Sequence, residues 1–105
     1  MENTYASLPH PNDFKDYLKD NEDWYFNLCY DKIRENFEGD RLEVIDVMSF
    51  VFDDEDKTIY DITISRSDFT HNLTNCLRYF EKVEEYGKCS KVNGLIDDIE
   101  KEYGL

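Results

Sequence analysis

Residues 41–65, RLEVIDVMSFVFDDEDKTIYDITIS, predict a β-hairpin. β-Branched and aromatic residues are frequent in segments 41–52 and 57–65, and four consecutive acidic residues at 53–56 separate the two segments. A loop of four or five residues is a common connection between antiparallel strands. We therefore expect two strands, at about 41–52 and 57–65, joined by an acidic turn.

The first predicted strand is apolar on both of its alternating faces. One face would carry Leu42, Val44, Met48, Phe50 and Phe52, and the other would carry Ile45, Val47 and Val51. Two apolar faces are typical of a strand that is covered on both sides. Either helices cover both faces, or helices cover one face and a second subunit covers the other.

Two helices are predicted before the hairpin. The first begins at Asn12 or Asp13, and the second begins at Asp20 or Asn21, with a single kinked helix as the alternative. Apolar residues of the second helix recur at helical spacing and stop before a glycine at position 39: Phe26, Tyr30, Ile33 and Phe37. Residues 1–11 contain two prolines and are predicted to form a flexible N-terminal arm.

Two further helices are predicted after the hairpin. One is capped by Ser65 or Ser67 and ends at Gly87, and the other begins at Ser90 and ends before Gly104. Residues 12–105 then form a single compact α+β domain. In this domain, two N-terminal helices precede the hairpin, and the two C-terminal helices pack on the sheet, since a two-stranded hairpin is marginal alone.

The composition restricts the compartment and the class of the protein. The chain has 105 residues and no apolar run long enough to span a bilayer, and its first residues do not resemble a signal peptide. Its three cysteines form no C-x-x-C pair, so we expect reduced thiols, with Cys29 and Cys76 packed as small apolar side chains. These features predict a cytoplasmic protein that does not bind membranes.

The sequence contains none of the common catalytic or metal-binding motifs. Phosphate-binding loops, dinucleotide-binding glycine patterns and the H-E-x-x-H motif are absent, and His10 and His71 have no second ligand near them in sequence. The acidic turn lacks the alternating ligands and central glycine of a calcium-binding loop. We therefore expect a protein that is not an enzyme and that has neither a cofactor nor a metal site.

The charge of the chain is its clearest functional signal. Twenty-five Asp and Glu against twelve Lys and Arg give a net charge of −13. Between residues 40 and 61, eight acidic residues accompany only two basic ones. A solvated hairpin tip would explain the turn alone. We interpret the whole set as candidate partner-binding residues: Asp40, Glu43, Asp46, Asp53, Asp54, Glu55, Asp56 and Asp61.

In size, acidity, lack of catalytic motifs and α+β layout with a hairpin between helices, the chain resembles small acidic inhibitors of bacteriophages and mobile elements. This group includes anti-CRISPR proteins and other nucleic-acid mimics, and its members share no motif that could be carried over to this sequence. The resemblance implies an inhibitor that blocks the nucleic-acid-binding or PAM-reading surface of a nuclease, where arginines line a basic cleft.

The same charge is consistent with other functions. An immunity protein or antitoxin would neutralise a basic toxin through similar contacts. A non-enzymatic adaptor could instead form a homodimer through strand 41–52. For the inhibitor, the expected partner is a basic protein that itself binds nucleic acid, and direct nucleic-acid binding is not expected because the phosphate backbone repels this chain.

Overall fold

The chain folds into four helices and one small mixed sheet. A computed structural model describes residues 5–8, 13–53, 55 and 57–104. In chain order the elements are β1 (Tyr5–Leu8), α1 (Asp13–Asp20), α2 (Glu22–Glu38), β2 (Val44–Phe52), β3 (Ile59–Ser65), a short 3-10 helix (Arg66–Asp68), α3 (Phe69–Lys82) and α4 (Tyr86–Tyr103). The sheet order is β1-β2-β3, with β1 parallel and β3 antiparallel to β2. The predicted α+β fold is confirmed in outline.

The sheet has three strands, whereas the hairpin predicted two. The additional strand, β1, falls within residues 1–11, the segment predicted as a flexible arm, and the other residues of that segment lie outside the described residues. β1 pairs with residues 49–52, and Ala6 and Leu8 are buried. Four residues carry too little periodicity to reveal a strand, and parallel pairing with a distant segment leaves no local turn signal.

A β-bulge changes the register in the middle of β2. Asp46 lies opposite Thr63, whereas Met48 lies opposite Ile62, so Val47 is an extra residue without a partner in β3. An extra residue in one strand reverses the alternation of the side chains that follow it. The bulge therefore determines which face of the sheet each side chain of β2 occupies.

The predicted division of β2 into two apolar faces is wrong for this reason. Ile45 shares a face with Met48 and Phe50, because their partners Ile64, Ile62 and Tyr60 alternate regularly along β3. Val44 lies on the opposite face and is 55% exposed. The apolar residues of β2 are thus concentrated on one side of the sheet. The pattern that suggested two covered faces results from the change of register.

The helices pack on this apolar side of the sheet. The ring of Tyr17 in α1 meets the ring of Phe50 edge to face at 5.6 Å between centroids. Ile33 in α2 and Phe80 in α3 are completely buried. The remaining fully buried large side chains come from the strands and from all of the last three helices: Met48, Val47, Phe69, Leu73, Cys29, Cys76, Val92 and Ile99. A single apolar core therefore lies between the helices and one face of the sheet.

The boundary between the last two helices differs from the prediction. α4 begins at Tyr86, and Gly87, which was predicted to end the preceding helix, lies in its first turn. The chain reverses at residues 83–85, where Glu84 has a left-handed φ of 61°. Glutamate rarely adopts this conformation, so the sequence offers no turn signal there. The preceding helix was predicted to end at Gly87 instead, three residues after Glu84.

The described helices carry charged side chains along their exposed faces. The longest, α4, has 18 residues and exposes Asp97 and Asp98. In the part of the chain that the structure describes, none of the helices combines the length and the apolar character that crossing a membrane requires.

Candidate interaction surface

In the part of the chain that the structure describes, one face of the sheet carries mainly exposed side chains, and we call it the outer face. Cross-strand partners point to the same side of a sheet, so the register assigns its side chains. They are Ser7 of β1, Val44, Asp46, Ser49 and Val51 of β2, and Ile59, Asp61 and Thr63 of β3. All of these except Ser49 and Val51 are exposed, so the surface is accessible to a partner.

The outer face exposes large apolar side chains. Val44 is 55% exposed and Ile59 is 59% exposed. They lie toward opposite ends of the hairpin, because Val44 begins β2 and Ile59 begins the antiparallel β3. Scattered apolar residues are ordinary on a protein surface, but a flat sheet face that carries several of them can bury them against a partner.

The charges of the outer face are all negative. Asp46 and Asp61 are exposed, and the strands that the structure describes contain no Lys or Arg. Ser49, which is 5% exposed, donates a hydrogen bond from Oγ to Asp61 Oδ1 at 2.5 Å. This bond satisfies the buried hydroxyl and fixes the carboxylate at the centre of the face. Within the described strands, the outer face therefore carries negative charges and no positive ones.

The structure does not gather the eight predicted residues into one patch. Asp46 and Asp61 share the outer face, whereas Asp53 follows the far end of β2. At about 3.3 Å per residue, Asp46 and Asp53 are separated by roughly 23 Å along the strand. Glu55 is exposed in the hairpin turn, and Asp54 and Asp56 lie outside the described residues.

Two of the predicted carboxylates are paired within the protein. Glu43 Oε1 lies 3.7 Å from an Arg66 guanidinium nitrogen, and Asp53 Oδ1 lies 2.5 Å from Lys57 Nζ. Exposed pairs such as these contribute little to stability, but they reduce the negative charge available to a partner. Asp46 makes no ion pair with a described residue. Among the predicted residues, Asp46 and Asp61 thus define the strongest part of the site.

A groove borders this surface at the beginning of β2. It has a volume of about 370 Å³ and lies between the end of α2 and the start of β2. Asp40, Asp46 and Glu35 contribute carboxylates to its lining, Lys32 contributes one ammonium group, and Ile45 contributes an apolar surface. The groove therefore extends the negative charge of the outer face toward α2, and Asp40 lies in its lining.

Asn36 connects α2 to the site and was missed in the sequence. Its side chain is 8% exposed and makes two hydrogen bonds with the backbone of Leu42: Asn36 Nδ2 donates to the carbonyl oxygen at 3.1 Å, and the Leu42 N–H donates to Asn36 Oδ1 at 2.9 Å. The amide thus fixes the chain two residues before β2. An asparagine near a helix end normally indicates a cap or a turn, so its sequence position gave no indication of this contact.

The exposed valine and isoleucine of the outer face were also missed as interaction residues. Val44 was predicted on the same face as Met48, and only the bulge at Val47 separates them. Ile59 was placed correctly in the returning strand, but its exposure depends on the position of the helices. Neither feature has a local sequence signal.

Other kinds of site are not evident in the described residues. Within residues 5–8, 13–53, 55 and 57–104, no group of three or more His, Cys, Asp or Glu side chains is arranged to hold a metal ion. Comparison of the chain with protein-family models, with curated proteins and with solved structures finds no match.

Proposed function

We propose that the protein is an acidic inhibitor whose outer face occupies the basic nucleic-acid-binding cleft of a nuclease or a CRISPR effector. The observation that carries this proposal is the composition of that face, which combines exposed Asp46 and Asp61 with strands that lack Lys and Arg. A net charge of −13 repels nucleic acid, so the partner is a basic protein. The proposal implies action in the cytoplasm.

The dimensions of the sheet are suited to such a cleft. The nine residues of β2 extend over about 30 Å at 3.3 Å per residue. This length corresponds to about nine steps of duplex DNA at 3.4 Å each. A cleft that holds nucleic acid aligns Arg and Lys side chains along a similar length. The two carboxylates of Asp46 and Asp61 can take the place of phosphates in part of such a cleft.

Apolar contacts supply affinity that charge alone does not give. A protein inhibitor releases no condensed counterions of the kind that DNA releases on binding. Val44 and Ile59, which are each more than half exposed, can bury this surface against the walls of the cleft. We expect the carboxylates to control the association rate and the apolar side chains to slow dissociation.

The protein's own cations compensate carboxylates elsewhere. Arg41 Nη1 lies 2.6 Å from Glu102 Oε1, and Arg34 lies near both Asp31 and Glu38. These pairs link helix side chains or join α4 to the start of the hairpin, and none involves Asp46 or Asp61. Asp46 and Asp61 therefore remain available to a partner on the outer face.

A competition experiment tests the proposal. Purified CRISPR effectors and other basic nucleases, each loaded with labelled duplex DNA, are titrated with the protein, and loss of bound DNA is followed by fluorescence anisotropy. We expect displacement from at least one enzyme, with an affinity that weakens as salt rises from about 0.05 to about 0.5 M. Absence of displacement across the panel would contradict the proposal.

A matched pair of variants locates the surface. Asp46→Asn combined with Asp61→Asn removes two charges from the outer face, and the new amide at position 61 can still accept the hydrogen bond from Ser49. Asp97→Asn combined with Asp98→Asn removes the same charge from exposed positions of α4. We expect the first variant to bind roughly tenfold more weakly and the second to bind nearly normally. Equal losses in both variants would show that net charge, and not the outer face, determines binding.

A further inference from the structure

β3 is an edge strand whose only charged residue is Asp61. Within the described part of the chain, it pairs with β2 alone. Its sequence, IYDITIS, contains no Lys, Arg or Pro, and the bulge of this sheet is in β2. Soluble proteins normally protect an edge of this length with such residues or with a bulge, because free backbone groups attract another strand.

Four of the seven residues of β3 are exposed, whereas Ile64 is buried. Ile59 is 59% exposed and Tyr60 is 53% exposed, and Asp61 and Thr63 are also exposed. The described helices therefore leave these four residues of the edge strand accessible. A seven-residue strand with β-branched residues at four positions is well suited to pair with another strand.

We propose that the edge is an interface between two copies of this chain, in which β3 of each copy pairs antiparallel with β3 of the other. The two sheets then form one continuous sheet of six strands. This inference does not depend on the proposed inhibitor function, since it rests on the edge strand alone.

The sequence of β3 is self-complementary in the register that uses its full length. Ile62 is the central residue of the strand, so it pairs with itself across a two-fold axis. Asp61 then lies opposite Thr63 of the partner subunit, and Tyr60 lies opposite the partner's Ile64. A hydroxyl facing a carboxylate and an aromatic ring facing a β-branched side chain are both favourable cross-strand pairs.

Charge disfavours the neighbouring register that is centred on Asp61. If the axis passed through Asp61, the two Asp61 carboxylates would face each other, which is unfavourable. The axis through Ile62 separates them by placing a threonine opposite each one. The two chains still repel through their net charge of −13, so the dimer should strengthen as salt rises.

The proposed pairing has a consequence for the outer face. In an antiparallel pair, side chains of opposed residues point to the same side of the sheet. The outer faces of the two copies would therefore form one surface, which at about 4.8 Å between strands is roughly 24 Å from the first strand to the last. The four carboxylates from Asp46 and Asp61 of both copies would lie on it.

Analytical ultracentrifugation of three variants tests the pairing. Thr63→Asp places carboxylates opposite the partner's Asp61 and should weaken the dimer roughly tenfold. Thr63→Lys places an ammonium group there and should strengthen it. Ser7→Asp adds the same charge as Thr63→Asp to the exposed position on β1, at the other edge of the sheet, and should leave association nearly unchanged. Circular dichroism establishes that each variant is folded.

These measurements distinguish a failure of the proposed dimer from a failure of the proposed inhibitor function. We expect the wild-type protein to associate between about 1 µM and about 1 mM and to do so more tightly at high salt. A monomer at all of these concentrations and salts would overturn the proposal, and so would equal effects of Thr63→Asp and Ser7→Asp. A monomeric protein could still displace DNA from a nuclease. Binding to the nuclease should weaken as salt rises, whereas the dimer should strengthen.

Discussion

Ser49 on β2 donates a hydrogen bond to the carboxylate of Asp61 on β3, with 2.5 Å between Ser49 Oγ and Asp61 Oδ1. The hydroxyl is in a residue that is 5% exposed, whereas the aspartate is exposed. The bond thus links the interior of the sheet to the outer face. It orients one of the two carboxylates on which the proposed function depends.

We expect this bond to be visible in the free energy of unfolding. Asp61→Ala leaves a buried hydroxyl without its acceptor and should cost about 1–3 kcal/mol, whereas Ser49→Ala removes the hydroxyl itself and should cost less. The double variant should therefore be more stable than the sum of the two single effects predicts. Urea denaturation of the four proteins measures the coupling.

Asp46→Ala provides the control on the same face. Asp46 is exposed and makes no ion pair with a described residue, so its removal should change stability by less than about 0.5 kcal/mol. Additive effects of the Asp61 and Ser49 substitutions would contradict the assigned bond.

A second prediction concerns Asn36. Asn36→Ala leaves the Leu42 N–H and carbonyl groups without their side-chain partners and should destabilise the protein by about 2 kcal/mol. Asn36→Asp retains the acceptor for the Leu42 N–H but sets a buried, ionised carboxylate against the Leu42 carbonyl oxygen, so it should destabilise the protein at least as much as Asn36→Ala near neutral pH. Thermal unfolding followed by circular dichroism compares the two variants. If both are as stable as the wild type, the amide does not anchor the start of β2.

A third prediction concerns alkaline pH. Cys29 and Cys76 are free and completely buried, as the sequence predicted. Burial raises the pKa of Cys29 from 9.0 to about 11 and that of Cys76 from 9.0 to about 12. The fold therefore keeps both thiols protonated after the unfolded chain has begun to release their protons.

The sign of the effect follows from this difference. The two thiols should leave the free energy of unfolding unchanged below about pH 9. Above that pH, each thiol should lower it by about 1.4 kcal/mol per pH unit, until the pKa of that thiol in the folded protein is reached. Burial also raises the pKa of Tyr25, which contributes in the same direction at higher pH. Urea denaturation at a series of pH values, from about pH 8 to about pH 11, measures how steeply the free energy of unfolding falls with pH. A Cys29→Ala, Cys76→Ala double variant should show a shallower decline, and an unchanged slope would exclude the thiols as its cause.

The parts of the fold that local sequence determines were predictable. The hairpin follows from two apolar segments around an acidic turn, and α2 follows from apolar residues at helical spacing that stop before Gly39. In both cases the residues that form the element also mark its limits. Two of the predicted partner-binding residues, Asp46 and Asp61, share one face of the sheet, and their role in binding stays a prediction.

The parts that were missed depend on contacts between distant segments. β1 is recognisable only through its pairing with residues 49–52, and the face of Val44 depends on the unpaired Val47. The start of α4 was misplaced because Glu84 adopts a left-handed conformation that glycine usually provides. A candidate site on a sheet face requires register, and register is a property of two strands rather than of either sequence alone.

The most direct measurement for the central claim is carboxylate labelling of the protein in complex with a nuclease from which it displaces DNA. Carbodiimide coupling with mass spectrometry gives the reaction rate of each aspartate, free and bound. We expect binding to slow the labelling of Asp46 and Asp61 and to leave the labelling of Asp97 and Asp98 of α4 unchanged. Protection of Asp97 and Asp98, with Asp46 and Asp61 still reactive, would contradict it.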